Sequence, residues 1–398
     1  MLSKKAQKLK PSPTLAIAAK AKELAAQGHH VISLSVGEPD WDTFPLIKGA
    51  AIEAIQAGQT KYAPSNGSPQ LRTAIAHQTQ KLLGVEYSPN AVTVSTGAKF
   101  ILFAALQTLV DPGDEVLIPA PYWVSYPTMV ELVDGVPVIV ESDEQTGFKP
   151  LAHHIEKKIT GKTKVLLLNS PNNPTGQMYT KDELEGIATL LRRHPKIVVI
   201  SDDIYNQLVF ESENVAPHLL HAAPELKERV IVVNGASKTY SMTGWRLGWA
   251  LGPEAVIKAM SNYQSQTVSC ASPFAQTALI AGLQNCQEEV RDHVKLLRER
   301  RDLFVEALNG VPGWRSGYPQ GAFYVWADVR GIFGKIWKDQ RLNTSNEVAT
   351  ALLESERVAV VPGAESGLEG YLRLSFALHE VDLNEAVKRI RGFTQSLA

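Results

Sequence analysis

Short apolar runs recur through the middle of the chain, and each is followed by a turn signal and then by a helical stretch. The runs are rich in Val, Ile and Leu and are nearly continuous. Runs of this length are typical of strands that are buried on both faces, as in a mostly parallel sheet. We predict such strands at Val92–Thr96, Glu115–Pro119, Pro137–Glu141, Lys164–Asn169, Lys196–Asp202, Val230–Gly235 and Arg246–Gly252.

The stretches between these runs supply the crossover helices that parallel strands need, for example Lys181–Arg193. The middle of the chain is therefore predicted to be one large α/β domain with a mostly parallel, seven-stranded sheet. Beyond it, a charged helical segment at Glu288–Leu308 leads into short strand-like pieces, which indicates a smaller α+β domain. We predict a large domain at 46–284 and a small domain at 285–398, and we expect an N-terminal segment at 1–45 to pack with the small domain.

Composition narrows the class of partner. The 398 residues carry a formal net charge of −1, so the chain has no bulk attraction for nucleic acid or anionic membrane, and a small-molecule partner is expected. Cys270 and Cys286 form no CxxC pair and no ligand cluster, so neither a disulfide framework nor a metal site is expected. No apolar run approaches the roughly 20 residues of a membrane span, and a cytoplasmic location is expected.

Polar groups stand just past the ends of the predicted strands. Gly97–Lys99 follows the first strand, Asn173 lies in the loop after the fourth, and Asp202 ends the fifth. Lys238 and Arg246 share the polar loop after the sixth strand. Ligands of open α/β sheets bind at the carboxyl ends of strands, so we expect these groups to converge on one edge of the sheet.

This set of groups suits a phosphorylated, cationic aromatic ring that bears an aldehyde. A lysine amine can attack the aldehyde, and a carboxylate can keep the ring nitrogen protonated. An arginine and a glycine-containing helix start can bind the phosphate. Each residue alone is more often a turn former or a helix cap, and the joint placement is what predicts pyridoxal phosphate (PLP) on Lys238.

Several strings of the chain resemble, in the same order, those of class I PLP-dependent aminotransferases. They are LSVGEPD, KYAPSNG, PYWVSYP, SPNNPTG, SDDIY, GASKTYSMTGWRLG and YLRLS. The resemblance covers nearly the whole chain and is strongest to the bacterial-type aspartate aminotransferase subgroup. It implies fold type I of the PLP-dependent transferases, a homodimer, and amino acid and 2-oxo acid substrates.

The resemblance also implies roles for single residues toward the cofactor. Lys238 carries the cofactor as a Schiff base and moves the substrate proton, Asp202 pairs with the ring nitrogen, and Tyr205 binds the phenolic oxygen. The other cofactor residues implied are Asn173 at the phenolic oxygen, Trp123 on the ring face, Arg246 with Gly97, Ala98 and Lys99 at the phosphate, and Tyr62 at the phosphate of the neighbouring subunit.

Substrate residues are implied in the same way. Arg373 binds the α-carboxylate, Gly37 leaves room for the substrate, and Trp123 and Asn173 line the same space. Lys99 and Thr14 resemble the pair that receives a distal carboxylate, which predicts L-aspartate and 2-oxoglutarate as substrates, giving oxaloacetate and L-glutamate. Thr14 could at the same time cap a helix that begins at Leu15.

Three positions depart from the commoner family pattern. Gly235 stands where many members carry a phosphate-binding Ser, so that donor is missing or is replaced by Ser237 or water. Asp203 replaces a more usual Glu and is expected to be tolerated. Phe100 replaces a Gln on the substrate side.

Other interpretations stay open at this point. The chain could be an aromatic or prephenate aminotransferase of the same subgroup, or a PLP-dependent β-lyase. A PLP-sensing transcription regulator would need an appended DNA-binding module and a basic excess, which the near-neutral charge does not favour. Trp123 and Tyr62 could be packing residues alone, and Arg373 could form a surface ion pair.

We expect the purified protein to be yellow and Lys238→Ala to abolish transamination, because the amine that carries the cofactor is lost. Absorption spectra and a transamination assay on the wild type and the variant test this. A colourless protein with full activity would contradict the prediction.

Overall fold

A computed structural model of the chain describes residues 1–9, 11, 13–210 and 214–398, and at residues 4, 8 and 13–15 it describes the backbone alone. The strands are, in chain order, β1 (Ile32–Ser33), β2 (Val92–Ser95), β3 (Glu115–Pro119), β4 (Val136–Val140), β5 (Thr163–Asn169), β6 (Val198–Asp202), β7 (Val230–Gly235), β8 (Gly248–Leu251), β9 (Arg315–Ser316), β10 (Tyr324–Asp328), β11 (Ile336–Trp337), β12 (Gln340–Arg341), β13 (Val358–Ala359), β14 (Val361–Pro362) and β15 (Tyr371–Ser375).

The α-helices are α1 (Lys4–Lys8), α2 (Pro13–Ala26), α3 (Pro45–Gln56), α4 (Pro69–Leu83), α5 (Ala98–Leu109), α6 (Tyr126–Leu132), α7 (Ala152–Glu156), α8 (Lys181–Arg193), α9 (Leu219–Ala222), α10 (Ala236–Thr239), α11 (Glu254–Ser265), α12 (Pro273–Asn285), α13 (Gln287–Asn309), α14 (Ser345–Glu356) and α15 (Glu380–Ser396). Short 3-10 helices lie at Pro89–Ala91, Glu144–Thr146, Pro224–Arg229, Thr243–Trp245, Arg330–Ile332 and Gly363–Ser366. Among the residues described, no helix is long and apolar enough to cross a membrane.

The central sheet has seven strands in the order β2-β8-β7-β6-β5-β3-β4. All seven predicted apolar runs form its strands, with ends that differ by a few residues, and the predicted α/β fold class is confirmed. Strand β8 runs antiparallel to both neighbours, whereas the remaining pairs are parallel. The amino end of β8 therefore lies at the same sheet edge as the carboxyl ends of the other six strands.

Both faces of this sheet are covered, which explains why its strands are apolar at nearly every position. Leu166 and Leu168 of β5 pack into one cluster with residues of α8, whereas Val165 and Leu167 pack into another with residues of α5 and α11. Helix α8 has the bounds predicted from the sequence. Thr180 accepts from the Glu183 backbone N–H, and Glu183 accepts in return from that of Thr180, so α8 begins with a capping box.

The C-terminal part builds a second, four-stranded antiparallel sheet in the order β14-β15-β10-β9. Strand β1 of the N-terminal segment pairs in parallel with β13, with Ile32 opposite Val358. On these contacts we propose the division given above, in which residues 1–45 join residues 285–398 as the small domain. Helix α13, which was predicted at Glu288–Leu308, precedes this sheet and extends one residue further at each end.

The start of helix α2 corrects one interpretation. The helix begins at Pro13, so Thr14 lies inside it and is not the capping residue before it. Proline is favoured in the first turn because its fixed φ suits the helix and its missing N–H has no partner there. The side chain of Thr14 lies outside the part that the structure describes, and its predicted contact with a substrate stays a prediction.

Gly248 of β8 packs directly against the turn before α5. A Cβ on Gly248 would lie 2.2 Å from the backbone nitrogen of Ala98 and 2.4 Å from the carbonyl carbon of Gly97. Backbone atoms cannot give way as a flexible side chain can. We therefore expect Gly248→Ala to lower the free energy of unfolding by about 1–3 kcal/mol, as overpacking does elsewhere.

Gly392 provides the matched control, because it is an exposed residue of α15 and a Cβ there would meet nothing within 4 Å. Gly392→Ala should raise the free energy of unfolding by up to about 1 kcal/mol through helix propensity. Equilibrium unfolding in urea measures both changes. If Gly248→Ala and Gly392→Ala have the same free energy of unfolding, β8 and α5 can move apart without loss of stability.

Candidate active site

A cavity of about 300 Å³ opens at the carboxyl edge of the central sheet. Strand direction explains why the polar groups meet there: β2, β5, β6 and β7 all end at this edge, and the antiparallel β8 begins at it. The predicted site residues that line the cavity are Gly37, Ala98, Lys99, Trp123, Asn173, Asp202, Tyr205, Lys238, Arg246 and Arg373.

Lys238 lies in the short helix α10, directly after β7. Its Nζ donates a hydrogen bond to the carbonyl oxygen of Gly37. Burial lowers the pKa of Lys238 to about 8; Glu38 acts in the opposite direction, and Arg373 adds to the lowering. A lysine of this kind releases its proton more readily than an exposed lysine, and the neutral amine is the form that attacks a carbonyl carbon.

Gly37 must be a glycine for a steric reason. A Cβ at this position would lie 2.3 Å from the hydroxyl oxygen of Tyr324. That hydroxyl forms a 2.8 Å hydrogen bond with the hydroxyl of Tyr205, and burial raises the pKa of Tyr205 well above its ordinary value. Burial also raises the pKa of Tyr324, so both phenols are protonated at neutral pH.

Asp202 ends β6 and is 4% exposed. Burial raises the pKa of its carboxyl group to about 6, although the hydrogen bonds from Tyr126 and Ile204 act in the opposite direction. The Tyr126 hydroxyl donates to Oδ2 at 2.6 Å, and the Ile204 backbone N–H donates to Oδ1 at 3.3 Å. The carboxylate is therefore ionised near neutral pH in spite of its burial.

Two asparagines connect the strand ends around Asp202. The Asn169 amide donates to the Asp202 carbonyl oxygen at 2.8 Å, and its own oxygen accepts from the Asn173 backbone N–H at 2.8 Å. The side-chain oxygen of Asn173 in turn accepts from Nη1 of Arg373 at 3.0 Å. This chain of hydrogen bonds places Arg373 relative to the central sheet.

Arg373 of β15 is 2% exposed, so its interpretation as a surface ion pair is wrong. Its Nη2 donates to the Ser35 carbonyl oxygen at 2.6 Å, and its guanidinium carbon lies 4.5 Å from the centre of the Tyr324 ring. Its Nε makes no hydrogen bond with the described residues, although it is buried. A buried, unpaired donor of this kind can bind a carboxylate without giving up an internal partner.

The opposite end of the cavity has the features of a phosphate site. Gly97 precedes α5 with φ +92°, and a Cβ there would lie 2.5 Å from Nη2 of Arg246. The guanidinium of Arg246 therefore packs against the turn at the helix N-terminus, where backbone N–H groups favour an anion. A Cβ on Gly235 would meet the Ile204 side chain and the Leu247 carbonyl oxygen at 3.0 Å, whereas Ser237 lines the cavity.

Lys99 lines both the cavity and an adjacent cleft, whereas Phe100 lines the cleft and not the cavity. The Nζ of Lys99 lies 4.7 Å from the centre of the Trp123 ring, and its pKa is lowered by burial and by Arg246. Phe100 does not line the 300 Å³ cavity but an adjacent cleft of about 900 Å³, to which Lys99 and Arg246 also contribute. Phe100 was expected on the substrate side of the site. In the structure it lines the neighbouring cleft.

Tyr62 lies outside this cavity and is 91% exposed. Its role in a neighbouring subunit stays a prediction. Sequence reasoning missed Tyr126, Asn169 and Tyr324, which line the cavity. Asn169 could have been found, since it is the last residue of an apolar run, and Tyr126 lies within the family string PYWVSYP. Tyr324 lies in an apolar stretch that resembles core sequence.

These groups fit PLP. An amine with a lowered pKa, an ionised carboxylate and an arginine against a glycine turn lie around one cavity, and three phenols lie on its wall. Lys238 would carry the cofactor, Asp202 would accept a hydrogen bond from the ring nitrogen, and Arg246 with the α5 N-terminus would bind the phosphate.

Comparisons with known proteins agree with the geometry. The sequence profile of the family described as "Aminotransferase class I and II" matches residues 29–390. An aspartate/prephenate aminotransferase of Nitrosomonas europaea is 42% identical over 391 residues, which is 98% of this chain and 98% of the relative. A crystal structure of the aspartate aminotransferase from Rhizobium meliloti has a TM-score of 0.96 at 39% identity and full coverage of both chains.

The aspartate aminotransferase of Thermus thermophilus, in a structure with maleate, has a TM-score of 0.91 at 41% identity and covers 99% of both chains. The match thus extends over the whole fold as well as over the motifs. The chain belongs to the class I and II aminotransferase family and is a pyridoxal-phosphate-dependent aminotransferase.

Proposed function

We propose that the enzyme transfers the amino group of dicarboxylic amino acids, converting L-aspartate and 2-oxoglutarate into oxaloacetate and L-glutamate. The observation that carries this proposal is the charge of the cavity wall. Among the described lining residues the basic side chains are Lys99, Lys238, Arg246 and Arg373, and the acidic side chain is Asp202. Such a wall favours ligands with several negative charges.

Assigning the charges one by one leaves one cation for the substrate side chain. Lys238 would react as the amine, Asp202 would pair with the ring nitrogen, and Arg246 would bind the phosphate. Arg373, with its unpaired Nε, would bind the α-carboxylate. Lys99 then remains, and it forms no ion pair with any residue that the structure describes. A second carboxylate on the substrate would supply that partner.

The relatives support a dicarboxylate. The Nitrosomonas europaea relative is named for aspartate and prephenate, and the Thermus thermophilus structure was solved with maleate, which carries two carboxylates. Prephenate also has two carboxylates, so the same lysine suits it. We retain prephenate or an aromatic donor as the second candidate because the adjacent cleft offers the apolar rings of Phe100 and Phe103.

When bound, PLP supplies the aldehyde carbon that takes the amino group and a ring that draws electrons from the substrate α-carbon. The residues of this chain would position the substrate and move its proton. Arg373 would hold the α-carboxylate, so that the α-carbon faces Lys238. The neutral amine of Lys238 would take the α-proton and return it to the cofactor carbon, acting as base and then as acid.

The remaining roles are proposed on the same basis. Tyr205 and Asn173 would hydrogen-bond the phenolic oxygen of the cofactor, and Trp123 would cover the ring face. Gly37 would leave room for the substrate beside Tyr324. In a homodimer, Tyr62 of one subunit would reach the phosphate in the other, which agrees with its full exposure in the single chain.

Lys99→Ala tests the substrate assignment. We expect kcat/KM for L-aspartate to fall about tenfold to a hundredfold, because the distal carboxylate loses a charged hydrogen-bond partner. A donor with one carboxylate, such as L-alanine, should lose little. The half-reaction with the amino donor alone, followed by cofactor absorbance, avoids the dicarboxylate acceptor.

Lys149→Ala is the matched control, since Lys149 pairs with Glu183 at 2.7 Å and does not line the cavity. It should change neither donor's kcat/KM. Equal losses for aspartate and alanine in Lys99→Ala would remove Lys99 from the recognition of the distal carboxylate.

The lowered pKa of Lys238 predicts a pH-dependent stability of the apoenzyme. Above about pH 8 the folded chain has released this proton, whereas the unfolded chain binds it up to the ordinary pKa of 10.5. The unfolded state then binds more protons, so stability rises with pH. Between about pH 8 and pH 10, the wild type should gain about 2 kcal/mol relative to Lys238→Met.

Urea unfolding of both apoproteins across this range measures the difference, and other titrating groups cancel in it. A constant difference between wild type and Lys238→Met would mean that the pKa of Lys238 is not lowered in the folded chain.

A further inference from the structure

Tyr126 is a buried phenol of the cavity wall, and its hydroxyl hydrogen-bonds Asp202. We propose that Tyr126 is a positioning residue, which through its hydrogen bond to Asp202 holds that carboxylate as the acceptor for the protonated ring nitrogen of PLP. This inference rests on the proposed role of Asp202.

The geometry joins Tyr126 to two site residues. Tyr126 is the first residue of α6 and is 2% exposed, and its hydroxyl donates to Oδ2 of Asp202 at 2.6 Å. Its ring meets the Trp123 ring edge-on, with centroids 5.4 Å apart and an interplanar angle of 87°. Tyr126 thus contacts the residue proposed at the ring nitrogen and the one proposed on the ring face.

Asp202 needs such a partner because its charge is buried. The described side chains give its carboxylate one hydrogen bond, from Tyr126, and the Ile204 backbone N–H gives a longer one at 3.3 Å. A hydrogen bond to a buried charged group contributes more than one between neutral groups. Without the Tyr126 hydroxyl, the carboxylate would gain a proton more easily and would be free to rotate.

The hydrogen bonds from Tyr126 and Ile204 leave room on the Asp202 carboxylate for a third donor. An ionised carboxylate has about four lone-pair directions, and Tyr126 and Ile204 take one on each oxygen. Burial and the adjacent carboxylate keep Tyr126 itself protonated, since both raise its pKa well above the ordinary value. Tyr126 can therefore only donate to Asp202, which keeps the carboxylate an acceptor toward the cavity.

Packing is the competing explanation, because Tyr126 also lies in the apolar cluster with Met129 and Val130. A packing role would affect every ligand of the cavity alike. A role through Asp202 would affect only ligands that present a ring nitrogen. Dissociation constants of the apoenzyme for PLP and for its analogue with CH in place of the ring nitrogen distinguish the two.

We expect Tyr126→Phe to weaken PLP binding about tenfold and the CH analogue about twofold or less, as loss of a charge-assisted hydrogen bond predicts. Tyr179→Phe is the matched control: Tyr179 is 4% exposed and its hydroxyl donates to the Pro150 carbonyl oxygen at 3.1 Å, outside the cavity. It should leave the preference for PLP over the analogue unchanged. Equal weakening of both ligands by Tyr126→Phe would overturn the proposal.

Asp202→Asn separates this inference from the proposed function. Retention of the wild-type preference for PLP in Asp202→Asn would refute the role of Asp202 and the inference with it. Loss of the preference in Asp202→Asn but not in Tyr126→Phe would refute the role of Tyr126 alone. If Tyr126→Phe does not fold, 3-fluorotyrosine at position 126 should change PLP binding and not analogue binding, because its more acidic hydroxyl alters the hydrogen bond to Asp202. An equal change for both ligands would again refute the inference.

Discussion

The buried negative charge of Asp202 is the constraint around which the site is organised. Its carboxylate lies at the carboxyl end of the central strand β6, where burial raises its pKa to about 6. The groups that offset this cost come from separate segments: Tyr126 from α6, Ile204 from the turn after β6, and Lys238 from α10. The charge therefore depends on several strand ends staying at one sheet edge.

The two basic groups Lys238 and Arg373 also have different surroundings in the cavity. Burial and neighbouring arginines lower the pKa of Lys238, whereas the guanidinium of Arg373 is held in place by hydrogen bonds to Asn173 and Ser35. The amine thus releases its proton readily, whereas the arginine presents fixed hydrogen-bond donors. That difference suits one of them to react as an amine and the other to bind an anion.

Part of the site consists of residues from segments outside the central sheet. Gly37 comes from the N-terminal segment, and Tyr324 and Arg373 come from adjacent strands β10 and β15 of the second sheet. These residues form hydrogen bonds with Lys238, Tyr205 and Asn173, which follow strands of the central sheet. The cavity is complete only where the two sheets meet.

Local patterns in the sequence predicted much of the fold and of the site. Long apolar runs gave all seven strands of the central sheet, since strands buried on both faces must be apolar at nearly every position. The capping box of α8 likewise predicts its start, because both partners lie within four residues. Family motifs predicted most of the residues that line the cavity, but not Leu102, Tyr126, Asn169, Ile204, Thr243 and Tyr324. The start of α2 was misplaced by two residues, because Pro13 was not recognised as a first-turn residue.

The sequence by itself thus determined which segments form strands and helices and which chemical groups the chain offers, because these follow from neighbours along the chain. Only the tertiary structure decided that β8 runs antiparallel, which brings Arg246 to the edge where Gly97 and Lys238 lie. It also decided the partners of Asp202 and Arg373. Direction and pairing depend on contacts between residues far apart in sequence, such as Tyr126 with Asp202, and the residues next to Tyr126 carry no sign of that contact.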